Sequence, residues 1–278
     1  MNAAAMGAGV LHAGAAASRF GLARHDPPAD LAPFVDYFWV VRWDLRGQPP
    51  HVQSILPHPT VTLAFEESGA AVFGVDRAIF TRRLAGAGKA LGVRFRPGGF
   101  RPFYASPIFT LNDRVVPARA IFGPAADRTC QAVMAADGDD AMAALASDLL
   151  RGASPRPDPH AARVADVVAR ITADPGLRRV AQVADACGIP ERRLQRLFAD
   201  YVGVSPKWVM RRARLHEAAL RADSACARGD DPPSTPRKSR GVVDWATLAA
   251  ELGYADQAHL SRDFTATLGV PPTQYAAR

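Results

Sequence analysis

"LQRLFADYVGVSP", Leu194 to Pro206, and "LSRDFTATLGVPP", Leu260 to Pro272, carry Leu, Arg, Phe, Gly, Val and Pro at the same offsets. Each follows a short apolar helical pattern and a glycine-containing turn. In the first copy, Val180–Ala186 leads through Cys187-Gly188-Ile189 to a helix opened by Pro190 and running to about Val202. Leu194, Leu197, Phe198 and Tyr201 recur there at the spacing of a buried stripe. In the second, Trp245–Leu252 leads through Gly253-Tyr254-Ala255 to Asp256–Leu268, with Asp256 as N-cap and Leu260 and Phe264 inward. Two short helices about such a turn form a helix-turn-helix, whose second helix can enter the DNA major groove. Gly203 and Gly269 close the second helices, and Pro206 and Pro272 start new ones.

The outward faces carry suitable chemistry. Opposite Leu194 and Phe198 lie Arg192, Arg196 and Ala199, flanked by Gln195. Opposite Leu260 and Phe264 lie Ala258, Arg262 and Thr265, flanked by Ser261, with Gln257 and His259 at the exposed start. Arg pairs bidentately with guanine and Gln with adenine, whereas a merely solvated face mixes Glu and Lys. Charge agrees with this. The chain has 278 residues and a net charge of +7. Residues 1–160 hold 16 basic and 14 acidic side chains, and residues 161–278 hold 18 and 13, so the excess sits with the repeat.

A composition of 48% hydrophobic and 22% charged residues supports a buried core and about two domains. "RGASPRPDPH", 151–160, reads as the linker between them. Residues 1–25, rich in Ala and Gly, read as a poorly ordered tail. They lack the basic start of a secretion signal, and no stretch is long and apolar enough for a membrane span. Cys130, Cys187 and Cys226 lie far apart, without zinc spacing, which suits a reducing cytoplasm. His51 and His58 invite a metal, but further ligands are missing, so neither metal nor cofactor is expected.

The tandem units, with "GVSP" and "GVPP" closing them and "LGYADQAHLSRDF" in the second, resemble the DNA-binding domain of AraC-type transcriptional regulators over about residues 161–278. The resemblance implies a long helix joining the units, so that one chain reads two neighbouring major-groove segments of double-stranded DNA. It places base contacts on Arg192, Gln195, Arg196, Gln257, His259 and Arg262. Phosphate contacts are expected from Lys207, Arg211 and Arg212 near the start of the joining helix. RNA polymerase is a further partner that the resemblance admits. One departure is "DSACARGDDPPSTPRKSRG", 223–241, which reads as a disordered insertion after a joining helix ending near Ala222.

Upstream, 26–150 reads as a sensor or dimerisation domain. Phe34–Trp43, Thr60–Phe65, Ala70–Val75 and Leu91–Phe95 read as strands, followed by helices at Pro124–Ala135 and Asp139–Leu150. "LPHPTVTLAFE" and "GVRFRPGGFRPFYASP" resemble a divergent sensor-like domain found on some of these regulators. The expected class is α+β: a small β-rich, cupin- or sandwich-like domain with helices, then an all-α tandem helix-turn-helix domain. Trp39, Trp43, Phe65, Phe95, Arg94 and Arg96 are candidates for an effector pocket, with core packing the competing reading. Met142, Leu145 and Leu149 form a stripe that either covers the sheet or meets its twin; the resemblance favours a homodimer. No phosphate loop, nucleophile elbow or reactive-cysteine setting points to catalysis. The alternative is a DNA-targeted enzyme of the repair type that carries an AraC-like module.

Overall fold

The computed structural model describes residues 9–228 and 243–277. Strands β1 (Gly21–His25), β2 (Val35–Asp44), β3 (His51–Ile55), β4 (Thr62–Glu66), β5 (Gly69–Phe73), β6 (Phe80–Leu84), β7 (Ala87–Phe95) and β8 (Val115–Pro117) form the N-terminal half. Six pair as an antiparallel sheet in the order β1-β2-β7-β4-β5-β8, while β3 and β6 pair as a separate ribbon. Successive side chains along a strand point to opposite faces. On β2, Phe38 and Val40 are buried on one face, and Tyr37, Trp39, Val41 and Trp43 are part-exposed on the other.

The first face is covered by helices α3 (Ala125–Ala135) and α4 (Asp139–Gly152), which follow a short helix α2 (Arg119–Phe122). Cys130, Val133, Met142, Ala146, Leu149 and Leu150 join Phe38, Leu63, Phe65, Val93 and Phe95 in one core. Of the two readings of the stripe, the sheet-covering one describes its packing: Met142 and Leu149 are 0% and 7% exposed in the core, and Leu145 is partly buried against it. Cys130 is buried, donates its thiol to the Glu66 carbonyl at 3.3 Å, and has its pKa pushed up first by burial.

The second half contains α5 (Pro159–Ala173), α6 (Val180–Cys187), α7 (Glu191–Tyr201), α8 (Pro206–Arg228), α9 (Trp245–Glu251), α10 (Gln257–Leu268) and α11 (Pro272–Tyr275). The joining helix α8 takes in Asp223–Arg228, the first residues of the stretch read as an insertion; 229–242 lie outside the described residues. The linker is shorter than expected, because α4 runs through Gly152 and Pro159 takes a first-turn position of α5 behind the N-cap Asp158.

The tail expectation needs correction. Residues 1–8 lie outside the described residues, but Val10 bridges Ile55 of β3, a short helix α1 covers Ala13–Ala16, and Gly21–His25 is a strand. Leu11 and Phe20 are 6% and 7% exposed, and burying these two large side chains outweighs the weak propensity of the Ala/Gly run. Leu11 and Leu56 complete the core around Leu215, Trp245, Leu248, Leu260, Phe264 and Tyr275. Val75, past the end of β5, does the same for the core around Val183, Leu194 and Phe198. The N-terminal half therefore plugs both helical units.

Candidate nucleic-acid interface and ligand slot

The two helix-turn-helix units are built alike. Gly188 (φ 61°) and Gly253 (φ 73°) sit in the left-handed region that favours glycine. The next amide bonds back over the turn in both: Ile189 to the Ala184 carbonyl at 3.0 Å, and Tyr254 to the Ala249 carbonyl at 2.9 Å. These are the six-to-one bonds of a Schellman stop. Pro190 is the N-cap of α7 rather than its first residue, whereas Asp256 caps α10 as expected, accepting from the His259 amide at 2.6 Å. Asp244 likewise caps α9. Phe264 meets Trp245 edge-on at 6.2 Å and Tyr275 at 5.4 Å, which fixes α10 on α9 and α11.

With Leu194, Leu197 and Phe198 inward, Arg192, Gln195 and Arg196 are exposed along α7. Gln195 bonds Glu191 at 3.1 Å, one turn back, so that amide must turn to meet a base. Gln257, His259 and Arg262 are exposed on α10, and the His259 ring rests edge-on against Tyr254 at 5.1 Å.

The three residues expected at phosphates separate. Lys207 is exposed. Arg211 is exposed and ion-paired with Asp263, a link between α8 and α10. Arg212 is 5% exposed, so the phosphate expectation is corrected there. Its guanidinium lies over the Trp208 ring at 4.6 Å and donates to the Arg77 carbonyl at 2.8 Å, while Nη1 has no hydrogen-bond partner. Burial first, then Arg211, lowers its pKa to about 10. The helix phase of α8 was legible; the domain that covers this face was not. Lys207→Ala should reduce the slope of log affinity against log salt by about 1 on any duplex, and Arg212→Met should leave that slope unchanged. Titrations at several salt concentrations measure both.

The second face of the large sheet and the β3–β6 ribbon border a half-open cavity of about 250 Å³. Trp39, Trp43 and Arg94 line it, as expected. Phe65 and Phe95 do not: both are 0% exposed in the core under the helices, on the opposite face by strand parity. Arg96 is turned away, its Nε donating to the Ala32 carbonyl at 2.7 Å. Tyr37, Ile55, Phe80 and Leu84 are lining residues that were not singled out from the sequence, and alternation along β2 could have supplied the first. His51 bonds Gln53 at 3.1 Å, and His58 serves the contact with α8.

At one end the cavity touches the joining helix. Pro57 and His58 belong to its wall, the His58 ring stacks on His216 of α8 at 4.0 Å, and His216 Nε2 donates to the Pro57 carbonyl at 3.1 Å. Burial pushes the His216 pKa down to about 3. An unfolded chain takes up this proton below its ordinary 6.5, whereas the folded chain refuses it until about 3. The stability from a neutral His216 is therefore complete above 6.5 and lost as pH falls through that window, by at most about 1.4 kcal/mol per unit. Melting temperatures at pH 7 and pH 5 should show the fall, and His216→Gln should reduce it.

A second contact fixes the first unit. Asn112 Nδ2 donates to the Gly203 carbonyl at 2.6 Å, just past α7. Gly203 has φ 92°, and a Cβ there would fall 2.6 Å from Asn112 Oδ1, so the chain reversal and the close approach both require glycine.

A family described as a domain of unknown function (DUF6597) matches residues 23–117. No curated protein matches. Among solved structures the chain is similar to ToxT from Vibrio cholerae, at 10% identity over 93% of this chain and 98% of that one, with a TM-score of 0.40. It is similar also to Vibrio cholerae ToxT bound to an unsaturated fatty acid, at 10% identity over 93% and 91%, with a TM-score of 0.39. Likeness at this level carries no functional argument, and function rests on the residues of this chain. Among the described residues no helix is long and apolar enough to cross a membrane.

Proposed function

We propose that this chain is a sequence-specific DNA-binding transcription regulator of the AraC type, whose α7 and α10 read adjacent major-groove segments and whose N-terminal cavity receives a small-molecule effector. One observation carries the reading: two like-built helix-turn-helix units expose Arg192, Gln195 and Arg196 on one second helix and Gln257, His259 and Arg262 on the other. Those side chains hold both donors and acceptors and stand on rigid helices, as direct base reading requires. Lys207 supplies a sequence-independent phosphate contact.

The effector acts through the Leu56–His58 turn. That turn closes the cavity on one side, and on the other it enters the core of the second unit through Leu56 and stacks on α8 through His58. A ligand that fits the cavity better in one placement of the turn shifts the balance between placements of the second unit by that difference in affinity. A genome-wide map of bound sites tests the regulator reading. Discrete sites sharing one sequence motif upstream of genes support it, and an even distribution over the chromosome contradicts it.

A further inference from the structure

The cavity between the large sheet and the ribbon has a shape and a polarity that narrow its ligand. Trp39 and Trp43 face it from β2, four residues apart on one face with Val41 between them, and their partners on β7 are Gly92 and Gly88. A Cβ at Gly92 would fall 1.9 Å, 2.0 Å and 2.4 Å from three atoms of the Trp39 indole, and one at Gly88 would fall 2.4 Å from Trp43. Several ring atoms crowd one point when a ring lies across the neighbouring strand. The two glycines thus let the indoles lie down on the sheet and form a flat wall, where any larger residue would prop them up. Trp43 donates its ring N–H to the Ala85 carbonyl at 3.2 Å, which holds its orientation. Ile55, Phe80 and Leu84 of the ribbon face this wall.

Two arginines of the wall, Arg24 and Arg94, meet around Tyr37 at one end. Tyr37 pairs in register with Arg94, which donates to the Tyr37 hydroxyl at 2.9 Å. The Arg24 guanidinium lies over the Tyr37 ring at 4.3 Å and has no ion pair among the described residues. Arg94 is ion-paired with Asp36 at 3.5 Å, yet its Nε is buried without a hydrogen bond, so the guanidinium keeps donor capacity toward the cavity. Arg82 and Glu66, also in the wall, neutralise each other. Asp76 lies in the wall as well, and burial, then Asp113, push its pKa up. An apolar cavity of roughly 150 Å³ is known to hold one benzene ring, so about 250 Å³ has room for two fused rings.

We infer that the cavity binds a flat, two-ring aromatic acid, its rings between the Trp39–Trp43 wall and the ribbon and its carboxylate at Arg94 and Arg24. The inference rests on the reading of the N-terminal half as an effector domain and adds the ligand's chemical class. Guanidinium–carboxylate pairing orients the acid, and stacking on indoles selects planar over flexible apolar groups.

The test uses the full chain, 2-naphthoate as probe, its neutral isostere 2-naphthamide, and decanoate as a flexible acid, each titrated by calorimetry. Naphthoate should bind at least tenfold more tightly than either comparison compound and quench tryptophan fluorescence. Arg94→Met should abolish the preference for acid over amide while keeping amide affinity, with circular dichroism confirming the fold. Ala64→Met, which fills the wall from β4, should remove binding of both aromatics. Equal or tighter binding of decanoate, or no heat from naphthoate at millimolar concentration, overturns the inference. DNA titration of the same ligand-free preparation separates the two levels. Retained DNA binding with failed naphthoate binding removes only the ligand class, whereas loss of both removes the regulator reading too.

Discussion

Alanine at Arg196 or Arg262 should weaken binding to the specific site by about 1–3 kcal/mol, roughly five- to 150-fold, and relax base choice at one position. The two arginines occupy the same place in their units, two residues before the buried Phe198 and Phe264. Each is exposed on the face turned from its core, and neither is held by an ion pair among the described residues, so a base edge does not have to displace a carboxylate. Random-sequence duplex should lose far less, because it is held by phosphate contacts that the substitutions leave in place. Anisotropy titrations on specific and random duplexes give both numbers. Unchanged specific affinity in both variants would mean that α7 and α10 do not read bases.

Leu56→Ala should destabilise the second helix-turn-helix by about 2–5 kcal/mol, although Leu56 belongs to the N-terminal half. Its side chain is 0% exposed in the core that contains Leu260 and Phe264, so truncation leaves a cavity beneath α10. Its amide donates to the Gly9 carbonyl at 2.7 Å, and Gln53 Nε2 donates to the Leu11 carbonyl at 2.9 Å; these bonds hold the segment from which Leu11 enters the same core. Hydrogen exchange on α9 and α10 should accelerate with the fall in melting temperature. Leu63→Ala, in the core under α3 and α4, provides the contrast: its loss should appear first in the sheet. If Leu56→Ala left α9 and α10 protected, the plug would contribute nothing to the second unit.

Much of the helical half was legible because its signals are local. The stripes Leu194–Leu197–Phe198 and Leu260–Phe264, the glycines at 188, 253 and 269, and the cap at Asp256 each act within one or two turns of helix. The N-terminal half was legible where strands alternate cleanly, as in β2 and β7. It was not legible in β3 (HVQSI) and β6 (FTRRL), whose polar residues give no apolar face until the ribbon is seen against the tryptophans. Of the six residues expected at an effector pocket, only Trp39, Trp43 and Arg94 line the cavity, for a related reason. Val93 and Phe95 alternate with Arg94 along β7, so a single pocket cannot contain both Phe95 and Arg94. Parity already favoured Arg94 with Trp39, the pairing that the cavity displays. Arg212, Leu11 and Leu56 were beyond reach, since their burial depends on which face of one half meets the other.

The most direct measurement is methylation protection of a duplex selected from a random pool by the full chain. Two protected major-groove tracts, centred about one helical turn or 10 base pairs apart on one face of the DNA, are the expected result for one chain carrying two recognition helices. Arg196→Ala and Arg262→Ala should each erase a guanine protection in a different tract. A single tract, or protection spread evenly along the duplex and unaltered by either substitution, would contradict the reading of α7 and α10 as a tandem pair.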